Sequence, residues 1–492
     1  MKFSFFKTFL AFILLSGSLF LQAKDIIIYH TSDVHGYYFA QENQKGKMQG
    51  GFPALMAFMK EDSSMTKNYL LLDSGDFSQG NLEVNASKGM LSVPVYNLMG
   101  YDAVTIGNHE FDFGTNIGKI SDELRADVLA ANIENMPDAL PYKIYTVKGM
   151  KIAVIGIAMD GDKNKTYKFK DMYKSYAAAA AAVAKQKPDA VVLLIHASNH
   201  DPREYVKPVE LVKSASYPVH VSLNGHMHDR RIEKIENTLY VDSGERAQEV
   251  SKITLTFDDA TNEFKEAKAK RIPLLVKKTG EDRNIKDFLL SAQNPDFEQV
   301  LAKVKYTFDY LPSKKNTLDT PLGNLMADVI RDKAEAELAV INTKTFRNFI
   351  PKGTVTKRNM LLAMPYSNKL AVMELDGAFI EEMVKKGLMP DSSIFQYSGN
   401  LQVKAVFKGG ELESADIKFN GAPLEHGRKY RVGTNDFLAF AGTYEAVVFN
   451  EIPSVDKKLL GYDLEELLVE KLKNSPSVKP AKAGRITKVV KK

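Results

Sequence analysis

The chain contains no cysteine. Disulfides, thiolate metal ligands and a lipid-modified cysteine are therefore excluded, and any metal centre has to be built from nitrogen and oxygen donors. Strong net charge is also missing. The 66 Lys and Arg against 61 Asp and Glu leave +5, too mild a balance to imply a nucleic acid polymer as partner. Past residue 23, no stretch is long and apolar enough to cross a bilayer. There is no internal repeat, and no low-complexity tract beyond the alanine-rich stretch 176–185.

The start of the chain is different. Lys2 and Lys7 flank an apolar stretch at 8–21, and a small residue follows at Ala23. Such a segment is too short to span a membrane and fits a secretory signal, so residues 1–23 are expected to be a cleaved signal peptide. The mature chain would then be periplasmic or secreted, with no membrane span and a net charge of 5 − 2 = +3. An uncleaved anchor is the alternative. The basic tail 479–492 reads as a solvated end.

At 492 residues, 44% apolar and 26% charged, the chain is globular in composition and too long for one ordinary core. Two domains are expected, at 24–266 and 306–492, with 267–305 as a connecting segment. In the first, β-branched runs at 25–29, 69–72, 151–157, 190–195, 218–223 and 252–257 predict strands. Helices are predicted at 52–60 and 176–185. This alternation suggests an α/β layered domain with a mostly buried sheet. In the second, helices are predicted at 323–334, near 356–363 and at 464–473, and strands at 338–342, 369–374, 401–407 and 431–435. Their irregular order suggests α+β.

Five short motifs carry the chemistry. They are Asp33-Val34-His35, Gly75-Asp76, Gly107-Asn108-His109-Glu110, His196, and Gly225-His226-Met227-His228. Five of the nine histidines fall inside them, and each motif follows an apolar run. Side chains just past the carboxyl ends of strands in a layered α/β domain can converge on one edge. A carboxylate there can bridge two ions while imidazoles and an amide oxygen complete the shells. This donor set suits Mn²⁺, Fe, Zn²⁺ or Co²⁺ better than Ca²⁺.

In that order the five blocks resemble the calcineurin-like metallophosphoesterases. His30-Thr31-Ser32 before Asp33, Phe111-Asp112 after Glu110, and the pair Gly50-Gly51 narrow the likeness to the 5′-nucleotidase branch. The resemblance covers nearly all of the mature chain. It implies a four-layer α/β/β/α sandwich followed by an α+β C-terminal domain that binds the nucleoside. It also implies two divalent ions (Mn, Zn, Co or Fe). One would take Asp33, His35, Asp76 and His228, and the other Asp76, Asn108, His196 and His226, with Asp76 bridging. His109 and Asp112 resemble the family's catalytic dyad. His30, His200, His220 and His426 lie outside the implied set, and structural or surface roles are expected for them.

The second half continues the likeness. Residues 320–328 resemble the opening helix of the branch's C-terminal domain, and 342–347 lie where the family has N-x-G-G-x-R. Asn342 and Arg347 are the implied substrate contacts there, and an arginine can grip phosphate bidentately. Phe437 holds the first base-stacking position; Phe395 or Tyr397 is the second, with Ile394 as the other possible alignment. The pattern also departs. Lys344 and Thr345 replace the paired glycines, so the backbone there cannot approach a ligand as closely. Thr443 replaces an expected aspartate, and Tyr444 a glycine.

The implied activity is an exported monomeric phosphohydrolase releasing phosphate from 5′-nucleotides by attack of a metal-bridged hydroxide. The branch also includes 2′,3′-cyclic nucleotide 2′-phosphodiesterase/3′-nucleotidase and UDP-sugar hydrolase activities. A thiosulfohydrolase relative shares the architecture. From a different class comes a non-catalytic nucleotide- or metal-binding protein. In two-domain enzymes of this type the connecting segment 267–305 is the expected hinge.

Overall fold

A computed structural model describes residues 24–43, 46–62, 68–161, 164–203, 206–215, 217–389, 394–440 and 456–491. The expected signal segment 1–23 and the altered positions Thr443 and Tyr444 lie outside the described residues. The chain divides into two compact units after Gln293.

Period-two burial shapes the first unit. In the strand Lys24–Thr31, Ile26 and Ile28 join one core and Tyr29 joins another on the opposite face. The strand Ala190–Ile195 is buried throughout because both of its faces are covered. Ala190, Val192 and Leu194 face the same core as Ile26 and Ile28, whereas Val191, Leu193 and Ile195 face a third core.

Two six-stranded sheets result. The first runs Phe264–Pro273, Glu249–Phe257, Lys24–Thr31, Tyr69–Asp73, Ala103–Val104, Asp127–Val128. The second runs Arg230–Ile235, Thr238–Ser243, Val221–Asn224, Ala190–Ile195, Met150–Ile157, Tyr142–Val147. Their shared core lies between the sheets, and helices cover both outer faces. The helix Met172–Lys185, capped by Asp171, buries Tyr176, Ala179, Ala180 and Val183 on one stripe. This is the four-layer α/β/β/α sandwich.

Residues 267–293, read from the sequence as connector, belong to this first unit. The strand Phe264–Pro273 pairs with Glu249–Phe257, its identity masked in the sequence by charged residues along an exposed edge. The helix Arg283–Ser291 then buries Ile285 and Leu289, one turn apart, in the core shared with the helix Phe52–Asp62.

The second unit is α+β. Its five-stranded sheet runs Phe395–Tyr397, Leu338–Asn342, Lys429–Asn435, Lys369–Asp376, Lys457–Asp463. Alternate residues of Leu338–Asn342 face two cores, Leu338 and Val340 one, Ala339 and Ile341 the other. The helix Pro321–Lys333 starts at a Thr320 cap, whose hydroxyl accepts from Gly323 N at 3.0 Å. No helix among the described residues is long and apolar enough to cross a membrane.

Candidate metal centre and substrate region

In the first sheet Lys24–Thr31, Tyr69–Asp73 and Ala103–Val104 run parallel; in the second Met150–Ile157, Ala190–Ile195 and Val221–Asn224 do. Asp33 and His35 follow the first of these strands, Asp76 the second and Asn108 the third. His196 follows Ala190–Ile195, and His226 and His228 follow Val221–Asn224. The structure brings the Asp and His residues of this set together. Asp33, His35 and His228 form one candidate metal-holding group, and Asp76, His196 and His226 a second. His35 Nε2 lies 3.8 Å and His196 Nε2 3.2 Å from the same Asp76 Oδ2, so that oxygen adjoins both groups.

The backbone is held in a costly conformation to do this. Asp33, His35, Asp76, His226 and His228 all have φ between 49° and 82°. Left-handed φ in a residue with a side chain costs about 1–3 kcal/mol each, and such strain concentrates at functional sites. Two glycines permit the close approach. A Cβ on Gly107 would stand 2.2 Å from Asp76 Oδ1, and one on Gly225 would stand 2.3 Å from Ser32 Oγ and 3.0 Å from His196 Nδ1.

Hydrogen bonds fix which imidazole nitrogens face inward. A carbonyl only accepts, so His196 Nδ1 donates to Ser74 O at 2.6 Å and His35 Nδ1 donates to Gln79 O at 3.1 Å. His228 Nδ1 faces the Glu245 carboxylate at 3.2 Å. The remaining Nε2 atoms then point into the cluster. Those of His35 and His228 stand 3.2 Å apart, and that of His228 stands 3.4 Å from Asp33 Oδ1. At that distance one nitrogen needs a proton or a cation between it and the other, because two bare imidazole lone pairs would repel. With metal–nitrogen bonds of about 2.0–2.1 Å, two donors on one ion stand about 3.0–3.4 Å apart.

Two further atoms fit the same reading. Asn108 Oδ1 is buried with no hydrogen-bond partner among the described residues, and buried His196 Nε2 has the Asp76 carboxylate 3.2 Å away. Charge agrees. Burial alone would lower the pKa of His196 and His228, but Asp76 and Asp33 outweigh it at His196, and Asp33 and Glu245 at His228, pushing both up to about 10. Burial opposes ionisation of Asp33 and Asp76 too, yet the neighbouring imidazoles hold both carboxyls below their ordinary value. The cluster is thus built around positive charge, which protons supply here and divalent ions can supply instead.

His109 lies on the short helical turn Asn108–Phe111. Its backbone N–H donates to Asp76 Oδ1 at 2.9 Å, and its ring packs edge-on to His35 with centroids 5.4 Å apart. Nδ1 is 3.1 Å from Asp112 Oδ2, a contact that raises the pKa of His109.

Sequence reasoning gave Glu110 no role. Its buried carboxylate accepts from Asp76 N (2.8 Å), Gly107 N (2.7 Å), Phe77 N (2.8 Å), Ser78 N (3.0 Å) and Ser78 Oγ (3.1 Å). It clamps the Asp76 loop to the Asn108 turn. An acidic residue closing the Gly107–Glu110 block was the available signal. His30, expected to be structural, bridges Ser243 Oγ (2.6 Å) and Ser74 Oγ (2.8 Å), beside the carbonyl that orients His196.

Strands Leu338–Asn342 and Lys429–Asn435 run parallel, and Phe395–Tyr397 pairs with the former, so Asn342, Phe395 and Phe437 share one sheet end. Asn342 is buried, its Oδ1 accepting from Thr345 Oγ1 (2.8 Å) and Asn435 Nδ2 (3.1 Å). Thr345, where the family has glycine, therefore fills the space beside that amide. Phe395 and Tyr397 are 3% and 1% exposed, and neither ring presents a face to solvent. Phe437 is half-buried against the same core. Arg347 is exposed, donating to Tyr366 OH at 3.0 Å.

Comparison with known proteins agrees with this geometry. The calcineurin-like phosphoesterase family matches residues 26–230, and the 5′-nucleotidase C-terminal domain family matches 285–449. The trifunctional nucleotide phosphoesterase protein YfkN of Bacillus subtilis is 25% identical over 94% of this chain, which spans only 35% of that protein's length. The protein UshA of Yersinia enterocolitica is 26% identical over 85% of this chain and 86% of its own. Among solved structures, a 5′-nucleotidase precursor from Thermus thermophilus shares the fold with a TM-score of 0.68, at 24% identity, over 95% of this chain and 99% of that one. Calcineurin-like phosphoesterases use divalent metals. Residues 26–230 thus carry a calcineurin-like phosphoesterase domain and 285–449 a 5′-nucleotidase C-terminal domain, and the chain is a metal-dependent phosphoesterase.

Proposed function

We propose that this protein is an exported, monomeric nucleotide phosphohydrolase of the 5′-nucleotidase type. The observation that carries the reading is the pair of inward Nε2 atoms of His35 and His228, 3.2 Å apart beside the Asp33 carboxylate. In this reading Asp33, His35, Asp76 and His228 hold one divalent ion, and Asp76, Asn108, His196 and His226 hold a second. Asp76 would serve both. Bound there, the ions would supply Lewis-acid activation of a water and neutralise charge on the phosphoryl oxygens.

The chain's own residues complete the chemistry. His109, oriented by Asp112 through Nδ1, turns Nε2 toward the ester oxygen that leaves and gives it a proton. Glu110 keeps Asp76 and the His109 turn in register, so that proton donor and metal edge stay together. Arg347 has its guanidinium exposed for a substrate anion, and Phe437 offers the half-buried aromatic face for a base. Asn342 and Phe395 support that pocket from inside the unit.

A second reading is a phosphoesterase with relaxed nucleoside selection. It is favoured by Thr345 filling the space beside Asn342 and by the burial of Phe395. Phosphate release from metal-reconstituted protein separates the two. The first reading expects turnover of nucleoside 5′-monophosphates above 3′- and cyclic nucleotides, UDP-glucose and an aryl phosphate. Similar turnover of all these esters, the aryl phosphate included, would support the second, and binding without turnover of any ester would contradict both.

A further inference from the structure

His226 and His228 each have two ring nitrogens, and in each ring one nitrogen meets a carboxylate outside the two cation-holding groups. His228 Nδ1 lies 3.2 Å from Glu245 Oε2, and His226 Nε2 lies 3.4 Å from Asp201 Oδ2. Each carboxylate is braced by the arginine near it in sequence. Asp201 accepts from Arg203 Nε (2.9 Å), Nη2 (2.8 Å) and backbone N (2.9 Å), and Glu245 lies 3.0 Å from Arg246 Nε. Both halves of the Gly225–His228 motif thus meet a carboxylate the motif does not contain, hydrogen-bonded to its arginine at Asp201 and in ion-pair contact with it at Glu245.

A neutral imidazole has one N–H, and an ionised carboxylate only accepts. A carboxylate against one ring nitrogen therefore draws the hydrogen there and leaves a lone pair on the other. We propose that Asp201 and Glu245 are positioning residues for the two divalent ions, each fixing the tautomer and ring angle of one histidine so that its opposite nitrogen is the metal donor. This rests on the metal-site reading above. Nε2 of His226 also abuts Arg203 Nη2. Arginine only donates, so in this structure that contact makes Nε2 an acceptor; an ion taken by Nδ1 requires it to open, with Nε2–H turning to Asp201 and Arg203 staying on the carboxylate.

Burial ranks the two residues. The Asp201 side chain is 2% exposed and that of His226 9%, whereas Glu245 is 24% and His228 38% exposed. Water can replace Glu245 more readily than Asp201. Loss of an outer carboxylate partner typically weakens metal binding by about 10- to 100-fold, and Asp201→Asn belongs at the upper end of that range and Glu245→Gln at the lower.

The test is calorimetric titration of metal-free protein with Mn²⁺, beside the melting temperature of the metal-free form. Wild type is expected to bind two ions. Asp201→Asn should weaken one and spare the other, Glu245→Gln should weaken the ion that Asp201→Asn spares, and Asp201→Glu should recover part of the loss. Melting of the metal-free variants should match wild type. Two ions bound with wild-type affinity in both variants would overturn this proposal alone, as would equal weakening of both ions in each variant. A wild type that binds no Mn²⁺ would overturn the metal-site reading and this inference with it. Should Asp201→Asn fail to fold, the more exposed Glu245 decides the outcome by itself.

Discussion

The strand-end edge of the first unit and the sheet end of the second treat their polar side chains in opposite ways. At the first, inward nitrogens of His35, His196 and His228 crowd against carboxylates and one another, and Asn108 Oδ1 is left without a hydrogen bond. At the second, Asn342 is satisfied by Thr345 and Asn435, and Phe395 is sealed in the core. Unsatisfied, strained groups mark a place waiting for a partner, whereas satisfied ones mark a place already packed. The difference teaches that the first edge is built to take positive charge, whereas the described part of the second sheet end is already packed.

Substitutions can break that comparison. The largest effect is expected at Asp76. Asp76→Asn removes the carboxylate adjoining both groups; it should cost at least one ion by elemental analysis and lower phosphate release by more than the roughly 10- to 100-fold typical of outer partners. Next comes His109→Ala, which should cost about 10²- to 10⁴-fold in kcat while both ions remain bound. Unchanged turnover would remove His109 from the chemistry.

Two smaller effects sharpen the contrast within the second unit. Phe395→Ala should act as a core deletion, costing about 3–5 kcal/mol of stability in denaturant unfolding. A raised KM with unchanged stability would show that the ring faces substrate after all. Arg347→Ala should leave stability alone and raise KM, by an amount equivalent to about 1.5–3 kcal/mol for a lost charge-assisted hydrogen bond.

Legibility from the sequence follows the same divide. The donor residues were readable because each sits within a few positions of a strand end, in short motifs whose order is itself a signal. The sandwich was readable from β-branched runs such as 190–195. What escaped depends on pairs distant in sequence. Glu245 reaches His228 across an intervening hairpin, and Glu110 reaches back to Asp76 over 34 positions. The strand Phe264–Pro273 escaped because an exposed edge tolerates charge, so its alternation carried little apolar signal. The burial of Phe395 was hidden as well, since an aromatic on a short strand looks the same whether it stacks on a ligand or on its neighbours.

The central claim is that one carboxylate joins two cation sites. Elemental analysis of purified wild type and Asp76→Asn after reconstitution with Mn²⁺ tests it most directly. The account predicts two ions per wild-type chain and loss of at least one from the variant, with phosphate release falling in step. Full metal content and undiminished hydrolysis in Asp76→Asn would contradict it.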